Sequence, residues 1–239
     1  MEETRKQVKE ALRKVYEKYS SLGLESVYLD GSILTKDFNP EVSDVDSIGI
    51  VDDSFPTNLE DVIKNFLAKE YPQIRKFGFR LLYKSELNGD QIKSFLASVI
   101  QPELLLFALP DWELVIGKSF SQKDFKLPIL SYRELRDMEI RNFYKFNWTE
   151  VSKIKEGYGG HINLLKTIIH IIDFEQKEKG IMNNIFSPLL VLHNTEGEAK
   201  EIMEFIMENK KNNWDYSMFQ NNSAFLQKYV NKLLSSLSS

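Results

Sequence analysis

The chain has 239 residues, 42% of them hydrophobic, and a formal net charge of −4 from 31 Lys and Arg against 35 Asp and Glu. This length suits one large domain or two small ones. The absence of cysteine excludes thiolate catalysis, disulfides and a cysteine-ligated zinc, and the lack of a basic excess disfavours a nucleic-acid partner.

The cellular compartment is predicted from what the chain lacks. The N-terminus has no apolar stretch of the kind found in a secretory signal peptide. No apolar run in the sequence is long enough to cross a bilayer. We therefore expect a cytoplasmic protein that has no membrane partner.

Hydrophobic periodicity in the first half of the chain predicts both helices and strands. Helices are predicted at 3–20, 59–71, 90–98 and 102–108. Strands are predicted near Tyr28, at 44–51, at 76–83 and at 112–118. Residues 1–125 are therefore predicted to form a domain of strands and helices.

The second half of the chain has a helical pattern to its end. Ser131 followed by Glu134 predicts a capping box at the start of one helix. A long helix is predicted at 161–179, and Gly180 ends it. Two more helices are predicted at 196–209 and 218–237. The fold class is therefore α+β, with an all-α helical bundle over residues 126–239.

The stretch from Tyr28 to Val51 contains the residues best suited to chemistry. Gly31 allows a ligand to approach the backbone closely, and Ser32 offers both a hydroxyl and an N–H group. Asp44 and Asp46 are two residues apart, so on a strand both carboxylates point to the same face. Two carboxylates beside a Gly-Ser turn predict a site for Mg²⁺ and the phosphates that it carries.

This arrangement resembles the nucleotidyltransferase superfamily that includes DNA polymerase beta. The resemblance implies a mixed β-sheet with helices over residues 1–125. The string GSILTKDFNPEVSDVD, which begins at Gly31 and ends at Asp46, is more specifically similar to the aminoglycoside adenylyltransferases. Their pattern has Gly-Ser, a Gly-Asp-Phe-type loop with Pro, and then Ser-Asp-x-Asp. Lys36 departs from it, since those enzymes usually have Gly there.

The resemblance implies an enzyme that moves AMP, or another nucleoside monophosphate, from a nucleoside triphosphate to a hydroxyl of a small molecule. ATP is the expected donor, and an aminoglycoside is the leading acceptor. Asp44 and Asp46 would bind Mg²⁺ and act in catalysis. The nucleotide-binding residues would be Gly31, Ser32, Lys36 and Ser43. The site would lie between the two domains, where ligand clefts commonly form.

One feature of the resembled enzymes is missing from the sequence. They carry a third carboxylate in the third strand, whereas residues 77–83 contain no Asp or Glu. Arg80 stands about where the acid would be, and Glu86 follows the strand. Three alternatives are open. Glu86 reaches back as the catalytic base, Asp44 or Asp46 both binds the metal and acts as the base, or catalysis is lost. The guanidinium of Arg80 could also replace the charge of one metal ion.

Two other functions fit the same scaffold. A nucleotide-binding or regulatory protein could keep the phosphate site without transferring the nucleotide, and the missing carboxylate favours this alternative. A nucleotidyltransferase of the antitoxin type would modify a protein hydroxyl. Such proteins tend to be short single domains, so the long helical half of this chain disfavours the second alternative.

Overall fold

The computed structural model describes residues 2–35, 38–39, 43–74, 76–181 and 186–237. The chain divides into two compact units, Met1–Ile129 and Leu130–Ser239. The described core residues of each unit come from that unit alone. None of the described helices is both long enough and apolar enough to cross a membrane.

The first unit is built around one four-stranded sheet. Its helices are α1 (Glu2–Tyr19), α2 (Leu59–Glu70), α3 (Phe95–Val99) and α4 (Pro102–Ala108). Its strands are β1 (Leu24–Asp30), β2 (Val45–Val51), β3 (Phe77–Tyr83) and β4 (Glu113–Gly117). The order in the sheet is β3–β2–β1–β4, in which β2 and β3 are parallel and the other two pairs are antiparallel.

The two faces of this sheet are covered by different helices. Successive residues of a strand point to opposite faces, so Phe79 and Leu81 of β3 face the core shared with α1 and α2. Ile48 and Ile50 of β2 face a second core that contains residues of α4. Within β2 only Asp46 is exposed. The start of β2 is therefore the place where this central strand meets solvent.

The helix predicted at 90–98 is shorter in the structure, because α3 begins only at Phe95. The N–H groups of Lys93 and Ser94 donate to Oε1 of Glu86 at 2.7 and 2.6 Å. These two hydrogen bonds keep Lys93 and Ser94 out of the helix. The Ser94 hydroxyl then caps α3 by accepting from the Ala97 N–H at 3.0 Å. Side-chain contacts with Glu86 thus decide where this helix starts.

The second unit is entirely helical in its described part. Its helices are α5 (Tyr132–Lys145), α6 (His161–Glu178), α7 (Pro188–His193), α8 (Gly197–Lys211), α9 (Tyr216–Asn221) and α10 (Ser223–Ser236). The capping box predicted for α5 is present, since Ser131 and Glu134 each accept from the other's N–H. The single helix predicted at 218–237 is divided into α9 and α10. The predicted α+β fold class is confirmed.

Candidate functional site

The end of β1 lies beside the start of β2, because the two strands are antiparallel. Asp30, the last residue of β1, is paired with Asp46. Gly31 follows with φ +75° and begins a 3₁₀ turn, and its N–H donates to Oδ1 of Asp30 at 2.7 Å. A Cβ at Gly31 would lie 3.2 Å from Oδ2 of Asp46. The Gly-Ser turn and Asp46 are therefore adjacent.

Asp44 lies just before β2, and it is close to the start of β3. The Lys76 Nζ is 3.4 Å from Oδ1 of Asp44, and the N–H of Val45 donates to the Lys76 carbonyl at 3.2 Å. Lys76 has φ +47°, a conformation that non-glycine residues seldom adopt. This backbone conformation occurs at the residue that places a cation beside Asp44.

The residue of β3 beside Asp46 is Gly78, because the parallel register pairs these two positions. A Cβ at Gly78 would lie 3.1 Å from the Val45 carbonyl oxygen and 3.2 Å from Oδ1 of Asp46. Any side chain from β3 that was to join the aspartates would come from here. The carboxylate that is missing from β3 therefore has a glycine in its place.

Arg80 does not lie beside the aspartates, contrary to the expectation from its position in the sequence. The register pairs Arg80 with Ile48, two residues further along β2 than Asp46. Its guanidinium forms an ion pair with Glu60 of α2 at 3.0 Å. The proposal that Arg80 replaces the charge of a metal ion is therefore wrong.

Glu86 lies beyond the opposite end of β3 from the aspartates. Gly78, beside Asp46, is five residues from Tyr83, which at 3.3 Å per residue is roughly 16 Å along the strand. Glu86 is fully buried, and its Oε2 accepts from the Tyr83 N–H at 2.8 Å. Its Oε1 accepts from the N–H groups of Lys93 and Ser94, which lie just before α3. The structure does not bring Glu86 to the aspartates, and its role as the catalytic base stays a prediction.

Glu60 has a similar structural role at the free edge of the sheet. β3 is an edge strand, so alternate N–H groups along it point away from β2. Oε2 of Glu60 accepts from the Leu81 N–H at 2.9 Å, as Glu86 does for Tyr83. These two buried carboxylates satisfy backbone donors that would otherwise be unpaired. Neither is available to a ligand at the start of β2.

Ser32 and Ser43 occupy opposite ends of the loop between β1 and β2. The Ser32 carbonyl accepts from the Thr35 N–H and hydroxyl at 2.9 and 3.0 Å, which closes the 3₁₀ turn. The Ser43 Oγ accepts from the Asn39 N–H at 3.0 Å. Lys36, another predicted nucleotide-binding residue, lies outside the described residues, as do Asp37 and Pro40 of the same motif.

Asp30 and Lys76 were missed by the sequence analysis. Asp30 faces the same side of the sheet as Asp46, since directly paired residues of antiparallel strands share a face. Its position before Gly31, at a strand end, was a signal that pointed to it. Nothing in the sequence marked Lys76, whose role depends on the contact between the starts of β2 and β3.

The donor set fits Mg²⁺ that a substrate helps to coordinate. Within the described ranges, no group of three or more His, Asp or Glu side chains is placed to hold a metal ion. Mg²⁺ is commonly bound by one or two carboxylates together with substrate phosphates and water. Asp44 and Asp46 match that requirement, whereas Ca²⁺, with its six to eight oxygen ligands, would need more of the protein.

No family model matches the sequence, and no curated protein matches it. Among solved structures, the fold is similar to a spectinomycin adenyltransferase from Enterococcus faecialis, crystallised with ATP and spectinomycin. The TM-score is 0.55 at 13% sequence identity, over 98% of this chain and 99% of the other. At this identity the likeness establishes a shared fold, which extends over both units.

Proposed function

We propose that this chain is a nucleotidyltransferase that moves AMP, or another nucleoside monophosphate, from its triphosphate to a hydroxyl of a small molecule. The observation that carries the proposal is the position of Asp46, whose carboxylate lies between Gly31 and Gly78 where β1 ends and β2 and β3 begin. The fold shared with a spectinomycin adenyltransferase supports the same class of reaction. An aminoglycoside or a related aminocyclitol is the first acceptor to test.

In this proposal Asp44 and Asp46 hold Mg²⁺. Bound there with the triphosphate, the metal would neutralise phosphate charge and align the α-phosphate with the acceptor oxygen. The hydroxyl and N–H of Ser32 would donate to phosphate oxygens of the nucleotide. Lys76, whose side chain is 59% exposed and lies 3.4 Å from Asp44, is our candidate for the cation that would bind the leaving pyrophosphate.

Asp30 is our candidate for the base that takes the proton of the acceptor hydroxyl. The oxygens of Glu86 accept backbone N–H groups at the other end of β3, and β3 has Gly78 beside Asp46. Asp30 is the remaining described acid paired directly across from Asp46. Its Oδ1 accepts the Gly31 N–H, which fixes the carboxylate in one orientation.

A second function, nucleotide binding without transfer, is favoured by Gly78. A protein of this kind would bind Mg-ATP and release no pyrophosphate with any acceptor, including a protein hydroxyl. Pyrophosphate release by the wild type separates the two functions. If release occurs, Asp30→Asn should abolish it while leaving Mg-ATP binding close to that of the wild type.

The first experiment measures ATP binding by calorimetry with and without Mg²⁺. The wild type should bind only with Mg²⁺, and Asp44→Asn with Asp46→Asn should abolish binding. The control is Asp61→Asn with Asp90→Asn, which removes two exposed acids elsewhere in the same unit. ATP binding that is unaffected by the loss of the Asp44 and Asp46 carboxylates would contradict the proposal. Pyrophosphate release with spectinomycin and related acceptors is measured next.

A further inference from the structure

A groove of about 700 Å³ lies between α1 and the residues that follow the Gly31–Ser32 turn. On one side it is lined by Ile33–Thr35, of which Leu34 is partly exposed. On the other side it is lined mainly by cationic side chains of α1, which are Arg5, Lys6, Lys9 and Arg13. We call this feature the α1 groove.

The four cations form a row because of their spacing. Arg5, Lys9 and Arg13 are each four residues apart, and Lys6 is three residues before Lys9, so all four lie along one flank of α1. Eight residues of helix separate Arg5 from Arg13, a length of about 12 Å. A row of this length presents several positive charges to a ligand with more than one anionic group.

The positive charge of this row is only partly compensated. Arg5 and Lys9 both form ion pairs with Glu113 of β4, and Glu2 also lines the groove. Lys6 and Arg13 are exposed, and within the described part of the chain neither has a hydrogen bond or ion pair. Two carboxylates thus face four cations.

We propose that the α1 groove binds a small anion with two or more phosphate groups, and that it does so without a divalent metal. Arginine and lysine side chains both bind phosphate, and arginine does so through paired hydrogen bonds. The volume lies within the range of small-molecule sites. The groove is concave and short, and the net charge of the chain is −4, which favours a small ligand over a nucleic acid.

This site is separate from the one proposed for transfer. Its lining includes neither Asp44 nor Asp46, and Ile33, which lines it, packs in the core with α1 and α2. Asp46 points to the other face of the sheet, with Ile48 and Ile50. The two sites therefore make different predictions about metal dependence.

The test is calorimetric titration with inorganic pyrophosphate, in a chelator and at low salt. The wild type should bind, and Lys6→Gln with Arg13→Gln should weaken binding by at least about tenfold, because two charged donors are lost. The matched control is Lys14→Gln with Lys18→Gln, which removes two charges from the flank of α1 that faces Tyr71 and Phe66. The control should bind as the wild type does.

Asp44→Asn with Asp46→Asn should leave this metal-free binding unchanged, even if it abolishes the binding of Mg-ATP. Three results would overturn the inference. They are no binding of pyrophosphate by the wild type, equal weakening in the Lys6 and Arg13 variant and in the Lys14 and Lys18 control, or loss of binding when the two aspartates are changed. Tighter binding of a single-stranded oligonucleotide than of pyrophosphate, at equal phosphate concentration, would overturn the ligand class.

Discussion

At the scale of single residues, the position of Asp46 between two glycines can be tested directly. Gly31 has φ +75°, and a Cβ there would lie 3.2 Å from Asp46. Gly31→Ala should lower the free energy of unfolding by about 1–2 kcal/mol through strain in the left-handed conformation. It should also weaken the binding of Mg-ATP by crowding the carboxylate. Urea unfolding and calorimetry measure the two effects.

Gly159 supplies the control for that substitution. Its φ is +82°, and a Cβ there would meet nothing within 4 Å. Gly159→Ala should therefore cost a similar amount of stability and leave Mg-ATP binding unchanged. If both variants bound Mg-ATP equally weakly, crowding of Asp46 would not be the cause.

Glu86 is expected to matter for stability and not for chemistry. Its two oxygens accept N–H groups from Tyr83, Lys93 and Ser94. Glu86→Gln puts an amide donor against backbone donors in a buried place, so the free energy of unfolding should fall by about 3 kcal/mol. Thermal and urea unfolding measure this loss. Full stability together with abolished transfer would restore Glu86 as a candidate base.

At the scale of elements, Glu113 joins β4 to α1 by accepting from Arg5 and Lys9. Burial alone would raise the pKa of Glu113, but the hydrogen bonds from Lys9 and Arg5 outweigh it and lower the pKa below its ordinary value. A lowered carboxyl pKa stabilises the fold above the unfolded pKa of about 4.3. This contribution is lost as the pH falls through the lower, folded pKa.

Glu113→Gln should therefore remove part of the loss of stability that the wild type shows on acidification from about pH 5 to pH 3. Urea unfolding at several pH values in this window measures the slope. The control is Glu10→Gln, which removes an exposed acid of α1 that pairs with Lys14. Equal slopes in wild type and Glu113→Gln would mean that this contact does not stabilise the packing of α1 on β4.

At the scale of the whole molecule, each unit has its own core. The described core of the second unit runs from Ile140 on α5 to Leu233 on α10 and contains residues of that unit alone. A domain of this size can bury enough apolar surface to fold by itself. A fragment of residues 130–239 should therefore show helical circular dichroism and one cooperative thermal transition. A broad, non-cooperative loss of helix would contradict this.

The sequence determined the features that depend on neighbouring residues. Apolar periodicity located most helices and strands, because side-chain direction repeats every 3.6 residues in a helix and every two in a strand. The capping box of Ser131 and Glu134 involves residues three apart. The Gly-Ser turn and the two aspartates lie close together in the chain, between Gly31 and Asp46, so the sequence predicted that they form one site.

Only the tertiary structure decided the features that depend on strand direction and register. The parallel pairing of β2 and β3 puts Gly78 beside Asp46 and places Glu86 at the far end of the sheet. The antiparallel pairing of β1 and β2 brings Asp30 opposite Asp46. The α1 groove, likewise, exists only because α1 packs next to Ile33–Thr35. Local patterns do not encode these neighbours, because hydrogen bonding between strands fixes the register of residues that are far apart in the chain.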